Sequence, residues 1–171
     1  MKSILLAPGG ALDELSAIDP DIANVITQYG PPPDRSLPAS FDTLARAIVG
    51  QQISRAAATS IWGRMEDNGI SEADVIATKS PDELAAAGLS RRKAEYIIGI
   101  ADEIVSKRID LHALADMDGQ AVQDRLVQIR GIGAWTADNF RLFALGEIIQ
   151  DAHVQHLCCL HMDVLTHRNI R

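Results

Sequence analysis

One stretch constrains the fold more than any other: residues 126–137, which read Leu-Val-Gln-Ile-Arg-Gly-Ile-Gly-Ala-Trp-Thr-Ala. A helical pattern runs into Gly131 and Gly133, and a second helical pattern begins at once. Two glycines permit a tight turn and let a ligand approach the backbone closely. The amides that open the second helix point outward with the positive end of its dipole behind them, which suits a phosphate. The apolar Ile132 between the glycines is expected to pin the two helices together from inside.

The flanking residues strengthen this interpretation. Apolar side chains repeat at helical spacing on both sides of the turn, at Val122, Leu126, Ile129, Phe140, Phe143 and Ala144. The predicted hairpin therefore spans residues 122–145. The alternative is an ordinary helix corner that uses glycine to change direction, because short glycine motifs also occur by chance.

Helical periodicity dominates the rest of the chain and predicts an all-α fold of nine or ten short helices. Helices are expected over residues 12–18, 21–29, 41–49, 55–65, 91–107 and 111–114. Capping boxes are predicted at Ser71 and Ser80, each followed three residues later by an acidic residue. Trp62 and Tyr96 fall within helical periodicity, and we predict that both are core residues.

A proline-rich stretch suggests how the chain is divided. Gly30 is followed by three prolines, and Pro38 keeps the connection extended. We therefore expect N-terminal helices and a connection over residues 1–37, and a helical domain over residues 38–171.

Composition narrows the class of protein. No apolar run approaches the 18 or so residues of a membrane span. The apolar residues 4–7 are too few for the core of a signal peptide. Cys158 and Cys159 are the two cysteines, and their adjacency excludes a disulfide framework. We expect a cytoplasmic protein, monomeric and without a membrane partner.

The formal net charge of −7 argues against binding nucleic acid over the whole surface. Local placement can override the total. Arg91, Arg92 and Lys93 lie together at a predicted helix start, and Arg130 lies beside the glycine turn. The pattern predicts a small, focused contact with DNA that is sensitive to salt.

Three blocks of sequence, in this order, resemble the helix-hairpin-helix DNA glycosylases. They are residues 41–54, residues 87–94 and residues 126–137. The similarity covers roughly residues 11–147 and is greatest to the alkylpurine branch, DNA-3-methyladenine glycosylase II. It implies a helix-hairpin-helix glycosylase fold and monofunctional base-excision repair of alkylated purines, such as 3-methyladenine, in duplex DNA.

The resemblance also assigns residues to DNA binding. The hairpin would contact the backbone through Arg130, Gly131, Ile132, Gly133 and Thr136. A flipped base leaves a gap in the stack, and Gln51, Gln52 and Ile53 are the candidates for the wedge that fills it. The alternative is that these three residues only connect two helices, with Ile53 in the core.

Trp135 is the candidate for the base pocket, since an indole face attracts a cationic methylated purine. The alternative is a core tryptophan at the start of a buried helix. Relatives that also cut the DNA strand carry a lysine nucleophile at this position, so the resemblance implies that this chain lacks lyase activity.

The catalytic carboxylate departs from the pattern of the alkylpurine branch, whose spacing places it at Gln155. Asp151, in Asp-Ala-His-Val, resembles the surroundings of the catalytic aspartate in other branches. It would stabilise an oxocarbenium-like sugar and orient the attacking water. A helix-capping role is the alternative for Asp151, and a solvated helix face is the prediction for Asp138.

The last twenty residues hold both cysteines and four of the five histidines, His153, His156, His161 and His167. Their spacing matches no recognised zinc motif, so a packed terminal helix is preferred and no metal site is predicted. Two cysteines exclude a four-cysteine iron–sulfur cluster. The resemblance implies a monovalent cation held by carbonyls of the hairpin loop as the sole bound ion. Because the family continues for further helices, we expect a C-terminal part that is truncated or diverted by a reading-frame change.

Two other classes of function remain open at this point. A catalytically inactive DNA-binding module would keep the hairpin without a completed active site. A helical protein-interaction domain would show no salt-dependent affinity for DNA.

Overall fold

The computed structural model describes residues 10–147. Every regular element in this part of the chain is helical, which confirms the prediction of an all-α fold. The nine described α-helices are α1 Ala11–Ile18, α2 Pro20–Tyr29, α3 Phe41–Gly50, α4 Arg55–Asp67, α5 Ala73–Ile76, α6 Pro81–Ala86, α7 Arg91–Val105, α8 Gly119–Val127 and α9 Ala134–Phe140. A 3-10 helix, Ala113–Asp116, precedes α8, and a π-helical turn, Arg141–Leu145, follows α9. Over residues 10–147, no helix is both long enough and apolar enough to cross a bilayer.

Two compact units meet in sequence between Pro38 and Ala39. The first contains α1 and α2, neither of which has a buried residue. Asp19 ends α1 and caps α2: its carboxylate accepts from the Asp21 amide at 2.9 Å. Pro20 occupies the first turn of α2, where its missing N–H is tolerated.

The second unit is built around α7, which packs against α3, α5 and α6. The apolar face of α7 includes Ile97 and Ile100, both fully buried. Trp62 of α4 is 2% exposed, which confirms its prediction as a core residue. Tyr96 packs against the core but is only partly buried, so its prediction as a core residue is confirmed only in part. The reason is that the tyrosine lies beside the turn after α8, as described below.

Polar caps start most of these helices. Ser80 forms the predicted capping box: its backbone N–H donates to Glu83 Oε2 at 2.8 Å, and the Glu83 N–H donates to Ser80 Oγ at 3.3 Å. The box predicted at Ser71 was wrong. The four-residue α5 begins one residue later, with Glu72 at its N-cap and no capping bond from that side chain.

Several predicted helix ends also shift, among them the end of α4, which lies at Asp67 rather than at residue 65. α7 stops at Val105 rather than at residue 107, because Lys107 adopts a left-handed backbone with φ +57°. The short helix predicted over residues 111–114 is a single 3-10 turn, Ala113–Asp116. The Asp110 carboxylate just before it accepts from the amides of His112 and Ala113.

Candidate functional site

The glycine turn joins α8 to α9 as predicted. Gly131 has φ +98°, a backbone conformation that residues with a side chain rarely adopt. Gly133 is the N-cap of α9 and has an extended backbone. Between them Ile132 is 4% exposed and belongs to the core, which confirms that it pins the two helices from inside. Its N–H donates to the Ile129 carbonyl at 3.0 Å, which closes the turn.

The two glycines have different surroundings. A β-carbon on Gly131 would lie 2.4 Å from Cγ of Tyr96, because the tyrosine ring packs directly on this backbone. A β-carbon on Gly133 would meet no atom within 4 Å. The fold therefore requires the first glycine, whereas the second keeps an open approach to the start of α9.

The loop between α3 and α4 contacts this turn through Gln51. The Gln51 side-chain amide donates to the Gly131 carbonyl at 3.3 Å and to Thr136 Oγ1 at 3.5 Å. These bonds make Gln51 a link between the loop and the hairpin, a contact that its assignment as a wedge did not include. Gln52 and Ile53 are exposed, and the 38% exposure of Ile53 contradicts its alternative prediction as a core residue.

Lys93 is directed at the same loop. Its Nζ donates to the Val49 carbonyl at 2.8 Å and to the Gln51 carbonyl at 2.6 Å. Partial burial lowers the pKa of Lys93 from its ordinary value. Lys93 thus holds two main-chain carbonyls, and a phosphate contact for it stays a prediction.

The three arginines differ in their partners. Arg91 pairs with Asp82 at 2.7 Å and lies 3.8 Å from Glu95. Arg92 donates to the Tyr96 hydroxyl, and this hydrogen bond raises the pKa of its guanidinium. The guanidinium carbons of Arg92 and Arg130 lie 5.5 and 5.6 Å from the centre of the Tyr96 ring, within the range of cation–π attraction.

Arg130 also lies 3.5 Å from Glu95 and is 76% exposed. Tyr96 therefore organises the positive charge beside the hairpin. The sequence prediction missed this role, although the spacing of Arg92 and Tyr96 by one helical turn was a usable signal.

Trp135 lies in the first turn of α9 and is 50% exposed, so its alternative prediction as a buried core residue was wrong. A place in a base pocket stays a prediction. The neighbouring Thr136 is buried, because the helix turns that face towards the core and towards Gln51.

Asp138 was predicted on a solvated face, and the structure contradicts this. Its side chain is 6% exposed and lies 3.3 Å from Nη1 of Arg141, which is itself 12% exposed. Arg141 also binds Glu147 at 2.7 Å and donates to Gln123 at 2.8 Å. The face of α9 that carries Asp138 is turned towards α8, and the guanidinium compensates the buried carboxylate there.

Asp151 lies outside the described residues, as do both cysteines and the histidines at positions 153, 156, 161 and 167. Across residues 10–147, no cluster of three or more His, Cys, Asp or Glu side chains could hold a metal. A monovalent cation at the hairpin would use main-chain carbonyls. The carbonyl oxygens of Ile129 and Gly131 each accept one hydrogen bond, and each has a second lone pair. These oxygens are therefore suitable ligands for a monovalent cation.

Comparisons with known proteins agree with this geometry. Residues 45–167 match the model of the HhH-GPD superfamily base excision DNA repair protein. A DNA-3-methyladenine glycosylase of Bacillus subtilis (strain 168) is 33% identical over 115 residues, which cover 60% of this chain and 38% of that protein. The chain thus spans well under two thirds of that relative's length.

Two solved structures share the fold at similar identity. The DNA-3-methyladenine glycosidase of Bacillus halodurans gives a TM-score of 0.69 at 30% identity, covering 89% of this chain and 72% of that one. The 3-methyladenine DNA glycosylase of Schizosaccharomyces pombe, solved in complex with abasic DNA, gives 0.68 at 27% identity, covering 83% of this chain and 75% of that one.

Proposed function

Because this chain belongs to the HhH-GPD superfamily of base excision DNA repair proteins, we propose that it is a monofunctional DNA glycosylase acting on alkylated purines in duplex DNA. The observation that carries the proposal is the loop after α3: its Gln51 side chain bonds to Gly131 of the glycine hairpin, and the next two residues, Gln52 and Ile53, are exposed. One element would hold a phosphate while the other fills the space of an extruded base. The Bacillus subtilis and Schizosaccharomyces pombe proteins named above support 3-methyladenine as a substrate.

The described residues supply the binding roles. The backbone of Gly131, Gly133 and Thr136 would receive the phosphate, and the apolar Ile132 holds this backbone in place from the core. The half-exposed Trp135 offers an indole face, on which a positively charged methylated purine gains cation–π attraction. A monovalent cation on the loop carbonyls would add positive charge next to the phosphate.

The proposed reaction is hydrolysis of one bond. The bond between the sugar C1′ and the purine nitrogen breaks, and the leaving purine takes the electron pair and becomes neutral. Water forms the new bond to C1′ and loses a proton to solvent. The Asp151 carboxylate would stabilise positive charge on the sugar and orient the water. Tryptophan at position 135 cannot form the Schiff base of a strand-cutting enzyme.

The test is release of 3-methyladenine and 7-methylguanine from alkylated duplex DNA, with Asp151→Asn measured alongside. We expect the wild type to release both bases and Asp151→Asn to lose release by at least about a hundredfold while keeping its DNA affinity. Release by both proteins would support the glycosylase activity and would show that Asp151 is not its catalyst.

Two other outcomes would overturn the proposal. Release by neither protein, with DNA binding intact, would identify an inactive binding module. Absence of salt-dependent DNA binding would identify a protein-interaction domain.

We also propose that the protein acts as a cytoplasmic monomer, which fractionation and sedimentation would test.

A second prediction concerns the arginines beside Tyr96. We expect Arg92→Ala and Arg130→Ala each to reduce the slope of log affinity against log salt by about 0.9, the value for one lost phosphate contact. Arg108→Ala is the matched control, because that exposed arginine already pairs with Asp102 at 2.5 Å and Glu103 at 3.0 Å. An unchanged slope in both test variants would remove these arginines from the interface.

A further inference from the structure

Three segments form a closed ring of contacts around the glycine turn: α7, the loop between α3 and α4, and the hairpin. We infer that Lys93, Gln51 and Tyr96 are positioning residues that fix the loop relative to the hairpin, so that base extrusion depends on Lys93. The inference rests on the proposed function, which it deepens by naming the residues that set the geometry of the wedge.

The first contact joins α7 to the loop. Lys93 Nζ donates to the carbonyls of Val49 and Gln51 at 2.8 and 2.6 Å, across more than 40 residues of sequence. Val49 lies in the last turn of α3, where carbonyls have no partner further along the helix. The ammonium therefore satisfies the end of α3 and the first residue of the loop together.

The second contact joins the loop to the hairpin. The side chain of Gln51 donates to the Gly131 carbonyl at 3.3 Å and to Thr136 Oγ1 at 3.5 Å. Gln51 thus accepts from α7 through its main chain and donates to the hairpin through its side chain. Moving the loop would break bonds on both sides at once.

The third contact joins the hairpin back to α7. The ring of Tyr96 packs on Gly131 so closely that a β-carbon there would lie 2.4 Å from its Cγ. Lys93 and Tyr96 are three residues apart on α7 and so share one face of that helix. One helix face thus supports the loop and the hairpin together.

The ring holds a strained residue at its exposed side. Gln52 follows Gln51 directly and has φ +58°, the left-handed conformation that a residue with a β-carbon adopts only when its surroundings enforce it. Its side chain is exposed. Released from Lys93, the loop would relax, and Gln52 would no longer stand at a fixed place beside the hairpin.

The experiment compares Lys93→Met in the full chain on two alkylated substrates, duplex and single-stranded DNA. A wedge matters only where a base must leave a duplex stack. We therefore expect the ratio of release from the duplex to release from the single strand to fall about tenfold or more, the equivalent of one lost charge-assisted hydrogen bond. Equal loss on both substrates would mean a merely structural role and would overturn the inference.

A second readout does not need catalysis. A duplex with 2-aminopurine opposite an abasic-site analogue brightens when the stack is opened. We expect the wild type to raise this fluorescence and Lys93→Met to lose most of the rise at saturating protein. An undiminished rise in the variant, or none in the wild type, would overturn the inference. Failure of base release by the wild type on both substrates would refute the glycosylase proposal and leave this readout valid.

Two further variants guard against misfolding. Gln51→Ala removes the hydrogen bonds between the loop and the hairpin. It should lower base release from the duplex relative to release from the single strand, as Lys93→Met does. Lys79→Met is the matched control, because Lys79 is a surface lysine whose partner is Glu83 at 3.2 Å, and it should leave every readout unchanged. A selective duplex defect in the control, or none in Gln51→Ala, would contradict the inference.

Discussion

Replacing Gly131 by alanine is expected to lower the free energy of unfolding by about 2–5 kcal/mol, the sum of backbone strain and overpacking. The strain arises because φ at this position is +98°. The overpacking arises because the new methyl carbon would lie 2.4 Å from Cγ and 2.6 Å from Cδ2 of Tyr96. Urea denaturation of the two proteins would measure the difference. A domain of ordinary stability would lose a large share of its margin.

Gly133 provides a matched control two residues away. Its backbone is extended and a β-carbon would meet nothing within 4 Å, so Gly133→Ala should change stability by less than about 1 kcal/mol. The same methyl group stands where a phosphate would approach the hairpin, so DNA affinity should fall. Equal destabilisation by both substitutions would contradict the assigned roles, as would full DNA affinity in Gly133→Ala.

Removing the charge of Arg141 is the second change with a large expected effect. Arg141→Met would leave the carboxylates of Asp138 and Glu147 without the cation that both contact, and Asp138 is only 6% exposed there. Losing one member of a buried ion pair typically costs about 3–5 kcal/mol. Thermal and urea unfolding would report it.

Arg108→Met tests whether burial is the cause. Arg108 also contacts two carboxylates, but its side chain is 50% exposed. Exposed pairs contribute up to about 1 kcal/mol, so this variant should unfold close to the wild type. If both methionine variants lose the same stability, the network around Arg141 is not the buried support described above.

The helices were largely predictable from the sequence because apolar spacing and serine caps are local signals. Ser80 and Glu83, three residues apart, carry the whole capping box. The role of Ile132 was also predictable, because the central side chain of a turn between two apolar helix faces is buried between the helices. The left-handed Lys107 that ends α7 was not, because lysine gives no local sign of a positive φ.

The predictions that failed depend on packing that no local pattern shows. Asp138 was placed in solvent because an aspartate on a short helix is usually exposed. Arg141, which compensates it, is only three residues further along the chain, but the packing of this segment buries both side chains. Trp135 stays half-exposed because Thr136, not the indole, faces the core. The tie between Lys93 and the Gln51 loop spans 42 residues, so no local pattern could reveal it.

The position of Glu95 has a consequence for how the protein would search a genome. Its carboxylate lies 3.8 Å from Arg91 and 3.5 Å from Arg130, so a DNA phosphate bound at Arg130 would compete with a resident anion. Under the proposed function, each encounter with undamaged DNA would have to displace that carboxylate, which would shorten the dwell time at every site. On a chain of net charge −7, such a competitor would favour many brief visits over prolonged sliding.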